Sequence, residues 1–234
     1  QFYGYRWDGN YQYDDFNEVS EGVYVLKDEI TTNGMSRDKI QPGDIKYRDL
    51  NGDKVVDSED LTVLGSAYPI HIGGFTNEFR YKNLTLNVFF QWSYGNKIMN
   101  ANRMLFEGNT LTAQNFNQYA SYIDRWTPEN QNNTLYRTGG QGPIGVYSDR
   151  TLEDGSYLRL KSVSLTYNLP DKIIKRLNLK NLSFNLSSQN LFTLTKYTGM
   201  DPEVSVRNSA LTPGFDYSAY PRAKNLVLGV KATF

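Results

Sequence analysis

The sequence predicts an all-β fold: an antiparallel transmembrane β-barrel segment, about six strands of a larger closed cylinder. Three observations carry this. Several stretches alternate apolar and polar side chains with a period of two. The connections between them alternate between long and short. No run of ~20 apolar residues exists, so no transmembrane helix is expected.

The clearest stretch is Leu84–Gly95. Leu84, Leu86, Val88, Phe90, Trp92 and Tyr94 fall on one face; Thr85, Asn87, Gln91 and Ser93 fall on the other, with Phe89 the exception. A period of two makes this a strand that is apolar on one side only. Its length suits a membrane stave, which needs roughly 9–11 tilted residues. Its apolar side ends in Trp and Tyr, the rings that settle at a membrane–water interface. A sandwich strand shows the same pattern over a short window, so the remaining chain decides.

Phe2–Trp7 reads as a strand tail, broken by Asp8-Gly9-Asn10. Tyr11 to Ala67 is polar, with one weak apolar run at Gly22–Leu26. Within it, Asp49, Asn51, Asp53, Asp57 and Asp60 place oxygen side chains at relative positions 1, 3, 5, 9 and 12, with Val55 offering the position-7 carbonyl. That is the ligand spacing of an EF-hand calcium loop. Lys54 stands where Gly makes the sharp turn, and Asp60 where a bidentate Glu is usual. Two uses stay open: a calcium (or magnesium) site, or solvated Asx turns.

Tyr68–Tyr81 is the next strand, with Phe75, Phe79 and Tyr81 opposite Thr76, Glu78 and Arg80. Gly73-Gly74 marks a bulge or a close backbone approach. Lys82-Asn83 turns tightly into Leu84–Gly95, closing a hairpin. Asn96–Gly155 is a long excursion. In it Phe116, Tyr119, Ala120, Ile123 and Trp126 recur at helical spacing over Asn115–Trp126, and Pro128 stops the run. Ser156–Asn168 is a strand with Val163, Leu165 and Tyr167 on its apolar face; Arg159 and Lys161 share that parity and are placed above the hydrocarbon band. Pro170–Lys180 is a short connection with a helical turn in DKIIKRL. Asn181–Leu194 sets Leu182, Phe184 and Leu186 against Ser183, Asn185, Ser187 and Gln189. After a third polar loop, Arg222–Phe234 alternates to the last residue.

The long loops are thus 9–68, 96–155 and 195–221, and the short ones 82–83 and 170–180. With up-and-down strands every long loop lies at one end, as transmembrane barrels place extracellular loops, and every short turn lies at the periplasmic end. The last strand then leaves the C-terminus periplasmic. Six strands fall short of the usual minimum of about 8, so both edges need strands from outside this segment.

Composition agrees. The 234 residues carry 25 Lys+Arg against 25 Asp+Glu, giving no reason to expect nucleic acid. A mean hydropathy of -0.58 suits a barrel, whose strands average polar and apolar residues. With Cys 0, disulfides, thiolate zinc sites and cysteine nucleophiles are excluded.

The blocks GDIKYRDLNGDKVVDSED, FFQWSYGNKI, RWTPEN, SYLRLKSVSLTYNLP, SSQNLFTLTKYTGMDPEV and YPRAKNLVLGVKATF resemble, in order, the C-terminal part of a SusC/RagA-type TonB-dependent outer-membrane transporter. Gly229 and terminal Phe234 resemble the barrel-assembly signal, while Val227 and Ala232 depart from it. The resemblance implies a plugged barrel of ~22 strands in the outer membrane of a Gram-negative bacterium. It implies a SusD-like surface lipoprotein as lid, energy from TonB, and import of oligosaccharides or, alternatively, peptides. The plug and the TonB-contacting segment belong to the N-terminal part of such proteins, outside this chain.

On this reading Asn87, Phe89, Gln91, Asn185, Ser187 and Gln189 face the lumen, where amides and hydroxyls suit sugar hydroxyls. Phe89 stacks on a sugar or packs on the plug. Trp126 and its aromatic neighbours either meet the lid or form a core within their own loop. A secreted calcium-dependent dockerin-like or glycan-binding module is the alternative of another class. An enzyme is not expected: the lone His71 forms no Ser–His pattern, and no P-loop, HExxH or GxSxG motif occurs.

Overall fold

The computed structural model describes residues 1–108, 115–143, 147–204 and 212–234. It divides into two units, one of residues 68–97, 154–204 and 219–234, the other of 1–67, 98–153 and 205–218.

The first unit is one antiparallel sheet of five strands: β1 (His71–Tyr81), β2 (Leu84–Tyr94), β3 (Tyr157–Asn168), β4 (Asn181–Thr195) and β5 (Asn225–Thr233). They pair in the order β5-β4-β3-β2-β1. This is a barrel-type sheet, with each strand beside its sequence neighbour and two edges, β1 and β5, that each pair on one side only. The sequence expectation of about six staves becomes five. Phe2–Gly4 and Trp7–Asn10 instead pair with the short strands Thr62–Gly65 and Ile45–Tyr47 in the other unit. A few aromatic residues with alternating parity fit a two-stranded ladder as well as a stave.

Register keeps each face uniform. Phe79 pairs with Leu86, which pairs with Leu165, which pairs with Leu186, which pairs with Leu228. One row therefore crosses all five strands with apolar side chains. This face is not the dry interior of a sandwich. Phe79, Tyr81, Leu228 and Val230 are each at least 60% exposed. A soluble protein rarely displays such a contiguous apolar surface; a hydrocarbon solvent covers it without cost.

Parity changes at one point. The β3 register shifts between Leu160 and Ser162 against both neighbours. Against β2, which runs straight from Phe89 to Phe90, Lys161 is the extra residue of a β-bulge that switches the β3 faces beyond it; against β4 it stands opposite Asn190 and Leu191. Leu158 and Leu160 join the apolar face opposite Trp92 and Phe90, while Arg159 pairs with Gln91 and Thr193 on the polar face. The expected placement of Arg159 on the apolar side is thereby corrected.

Gly73-Gly74 is a close approach rather than a bulge, since β1 and β2 pair without a register shift. A Cβ on Gly73 would stand 2.3 Å from the Trp92 ring, and one on Gly74 would stand 2.8 Å from the Phe89 ring. The short turns behave as read: Lys82 takes φ 51 in the hairpin, and a helix covers Asp171–Arg176 with Ile174 buried.

The second unit corrects the reading of residues 9–68 as plain loop. It holds three two-stranded ladders and two buried clusters, Tyr11, Phe16, Leu26 and Ile40, and Ile45, Tyr47, Val56 and Tyr136. The expected helix over 115–126 shrinks to a 3-10 turn at Ala120–Asp124, because Tyr119 is extended (ψ 151) and its ring packs on Phe106. Trp126 is 4% exposed and serves as loop core; a Cβ on Gly43 would meet its ring at 2.3 Å. A buried ion-pair network orders this unit: Arg150 reaches Glu107 at 2.9 Å, and Arg103 reaches Glu107 at 2.9 Å and Glu153 at 3.2 Å.

Gly73→Ala is expected to displace Trp92 and destabilise the β1–β2 hairpin by about 1–3 kcal/mol. A shifted tryptophan emission and a lower temperature of the gel-mobility transition in the full-length protein check this; an unchanged spectrum contradicts the ring placement.

Candidate functional site

The polar face of the sheet collects the six residues assigned to a lumen. Asn87 pairs with Ser164, and Ser164 with Ser187. Phe89 pairs with Ser162, and Ser162 with Gln189. Gln91 pairs with Arg159, and Asn185 with Thr166. Asn185 Nδ2 donates to Thr166 Oγ1 at 2.9 Å. These rows are rich in neutral donors and acceptors, suited to hydroxyl-rich or amide-rich solutes, with Glu78 opposite Asn87 and paired to Arg80 at the β1 edge. Phe89 is half-buried with its ring over Gly74, so its nearest use is packing within the sheet.

One charged group on this face was missed by alternation alone. Arg159 is buried, its side chain 3% exposed, and donates to Asp201 at 2.5 Å and Glu203 at 2.6 Å. Lys161 Nζ and Arg222 Nε reach Glu203 at 3.0 and 3.1 Å. Asp201 also accepts the backbone N–H groups of Glu203 and Arg222. The segment after β4 is thus strapped to the polar face by two carboxylates on three cations. Burial by itself would raise the Asp201 carboxyl; the Arg159 hydrogen bond and the two backbone N–H groups outweigh it and hold it below the ordinary carboxylate range. The signal in the sequence was the acidic pair in DPEV opposite a basic pair inside a strand, but the bulge that aligns them is invisible to a period-two count.

The acidic loop closes on itself. Asp49 accepts N–H groups from Gly52 at 2.6 Å and Lys54 at 2.8 Å, and Asn51 accepts from Asp53 at 2.9 Å. Asp53 accepts from Val55, and Asp57 caps the 3-10 turn Ser58–Asp60. Asp60 is fully buried and accepts from Leu50 and Asp57. Lys54 adopts φ 68, the left-handed conformation that glycine usually supplies in such a loop. Among the described residues no three acidic or histidine side chains gather as a metal site. No helix–loop–helix of dockerin type forms around it.

The other singled-out residues separate. Gly229 lies opposite Asn185 with ordinary clearance, and Phe234 is 82% exposed. His71 accepts a hydrogen bond from Trp92 Nε1 at 3.1 Å and stacks on Tyr94. It belongs to an aromatic cluster at a strand end.

No family model matches the chain. Among characterised proteins, it is 34% identical over 218 residues to TonB-dependent receptor P26 of Formosa agariphila, covering 91% of this chain and 22% of that receptor. It is 25% identical over 218 residues to the TonB-dependent receptor SusC of Bacteroides thetaiotaomicron, covering 92% of this chain and 20% of SusC. The RagAB peptide importer in its closed-closed state superposes with a TM-score of 0.71 at 24% identity, over 100% of this chain and 23% of that one. The chain spans about a fifth of the length of the curated relatives it matches.

Because Asp201 is held below its usual pKa, it stabilises the strap fully above the ordinary carboxylate value of about 3.9, and the contribution is lost as pH falls below it. The protection factors of residues 196–204, exchange rates corrected for their intrinsic pH dependence, are expected to hold steady from neutral pH to about 4 and to fall in stronger acid. Arg159→Ala, which removes the buried cation shared by Asp201 and Glu203 but leaves Lys161, Arg222 and two backbone N–H groups on them, should cost about 1–3 kcal/mol of local protection already at neutral pH.

Proposed function

The chain is a segment of the SusC/RagA-type TonB-dependent receptors, and from that premise we propose that the whole protein imports oligosaccharides across the outer membrane without chemistry on the substrate. The observation that carries this is the two-sided sheet: one face apolar and exposed across five strands, the other polar and rich in amides and hydroxyls. In this reading the apolar face meets lipid and Asn87, Phe89, Gln91, Asn185, Ser187 and Gln189 line the lumen. β1 and β5 pair with further strands of the same barrel, whose plug closes the pore. The folded excursions are extracellular and meet a SusD-like lipoprotein, TonB supplies the energy, and the C-terminus is periplasmic.

Amides and hydroxyls also suit a peptide backbone, and the fold neighbour RagAB is a peptide importer. That is the second reading. The amides and hydroxyls along Asn87, Gln91, Asn185 and Ser187 favour sugars, since a peptide brings charged ends; the described charges on this face are largely paired with one another, Arg80 with Glu78 and Arg159, Lys161 and Arg222 with Asp201 and Glu203. Calcium in the 49–60 loop is a separate proposal, supported by ligand spacing alone. Titration of calcium chloride into the full-length receptor tests it, and absence of binding heat ends it.

Uptake of labelled neutral oligosaccharides and of labelled peptides by cells carrying the full-length receptor tests the import reading. Oligosaccharide uptake is expected, dependent on TonB, and roughly tenfold slower in the double variant Asn87→Ala/Gln91→Ala at unchanged receptor level. Peptide uptake alone moves the assignment to the second reading, and uptake independent of TonB overturns the mechanism.

A further inference from the structure

The second unit carries a hollow of about 710 Å³, within the range of small-ligand sites. Four rings line it: Phe106 from the helix Ala101–Phe106, Phe116 and Tyr119 from the segment that follows, and Tyr217. Phe106 stands 6.2 Å from Phe116 and 5.5 Å from Tyr119, tilted by 43° and 49°, so the rings splay rather than stack. Phe116 and Tyr217 remain about half exposed, although the same unit buries Tyr11, Tyr47 and Tyr136 completely or nearly so. Large rings left open in a unit able to bury others mark a contact surface.

Between the rings stand Asn115, Asn117 and Gln118, whose side-chain amides both donate and accept. No described lining residue carries a charge. Burial first, then the nearby Asp216 and Glu107 carboxylates, raise the Tyr119 phenol, so it stays a neutral hydroxyl. Several contacts tie the walls together. Tyr119 N–H donates to Phe106 O at 2.8 Å, Ser218 N–H donates to Asn102 Oδ1 at 2.7 Å, and Arg103 braces the helix against Glu107 and Glu153. Preorganisation of this kind lowers the ordering cost of binding.

We propose that this hollow is a binding subsite for a neutral oligosaccharide, its rings packing on the C–H faces of the sugar and its amides pairing with the hydroxyls. An anionic ligand, or the charged end of a peptide, finds no countercharge in this lining. The subsite rests on the import reading and adds to it a capture point on the excursion unit, separate from the polar face of the sheet.

Binding of the purified full-length receptor to an array of neutral glycans, followed by calorimetry with the strongest, tests the subsite. Phe116→Ala and Tyr217→Ala are expected to weaken the Kd by roughly tenfold each, and Tyr217→Trp, which keeps an aromatic face, to retain it. Both rings are exposed, so the variants should fold; unchanged mobility in the heat-modification gel confirms that. A wild-type Kd preserved in both alanine variants overturns the subsite and leaves the import reading standing. No binding to any neutral glycan overturns the subsite as well, and uptake measured in cells then decides the import reading independently.

Discussion

A backbone surrounded by hydrocarbon has no water to satisfy its N–H and C=O groups, so every one must find another strand. The five-stranded sheet follows from that constraint. It explains why five strands pair in unbroken sequence order and why β1 and β5 need partners beyond those described. It also explains why the side chains can be so unequal. Once the ladder holds the strands, one face is free to be wholly apolar and exposed. A water-soluble sheet with Phe79, Tyr81, Leu228 and Val230 bare to solvent would aggregate.

The bulge at Lys161 is where this two-sided design is adjusted. Without the extra residue, Arg159 would point to the apolar side, where a cation is costly. With it, Arg159 turns to the polar face and meets Asp201 and Glu203. The same step returns Leu158 and Leu160 to the row of Trp92 and Phe90. A buried ion cluster of this kind stabilises little by itself, since desolvation offsets most of its attraction. Its consequence is positional: the strap after β4 has one seat on the sheet.

The excursions follow a different rule. They have no long periodicity, yet they bury Tyr11, Ile40, Ile45, Tyr47 and Tyr136 in two clusters of their own and pair charges at Arg150–Glu107. Residues 9–68 are thus a folded part rather than tether. Their acidic loop uses its carboxylates to close Asx turns, and Asp60 spends both oxygens on buried backbone donors.

The sequence by itself determined the stave pattern, the tight turn at Lys82-Asn83, the helical turn near Ile174 and the sidedness of Asn87, Gln91, Asn185 and Ser187. These are local: a period of two, a breaker or a turn residue suffices, and each is read within a dozen neighbours. The tertiary structure alone decided the fate of Phe2–Trp7, the face of Arg159, the cores within the excursions and the grouping of Phe106 with Tyr217. Each depends on residues tens of positions apart, or on one inserted residue that reverses parity, and neither leaves a period in the sequence. Spacing also placed the acidic residues correctly along the chain, but whether their oxygens turn toward a cation or toward backbone N–H groups is set by the path of the backbone between them.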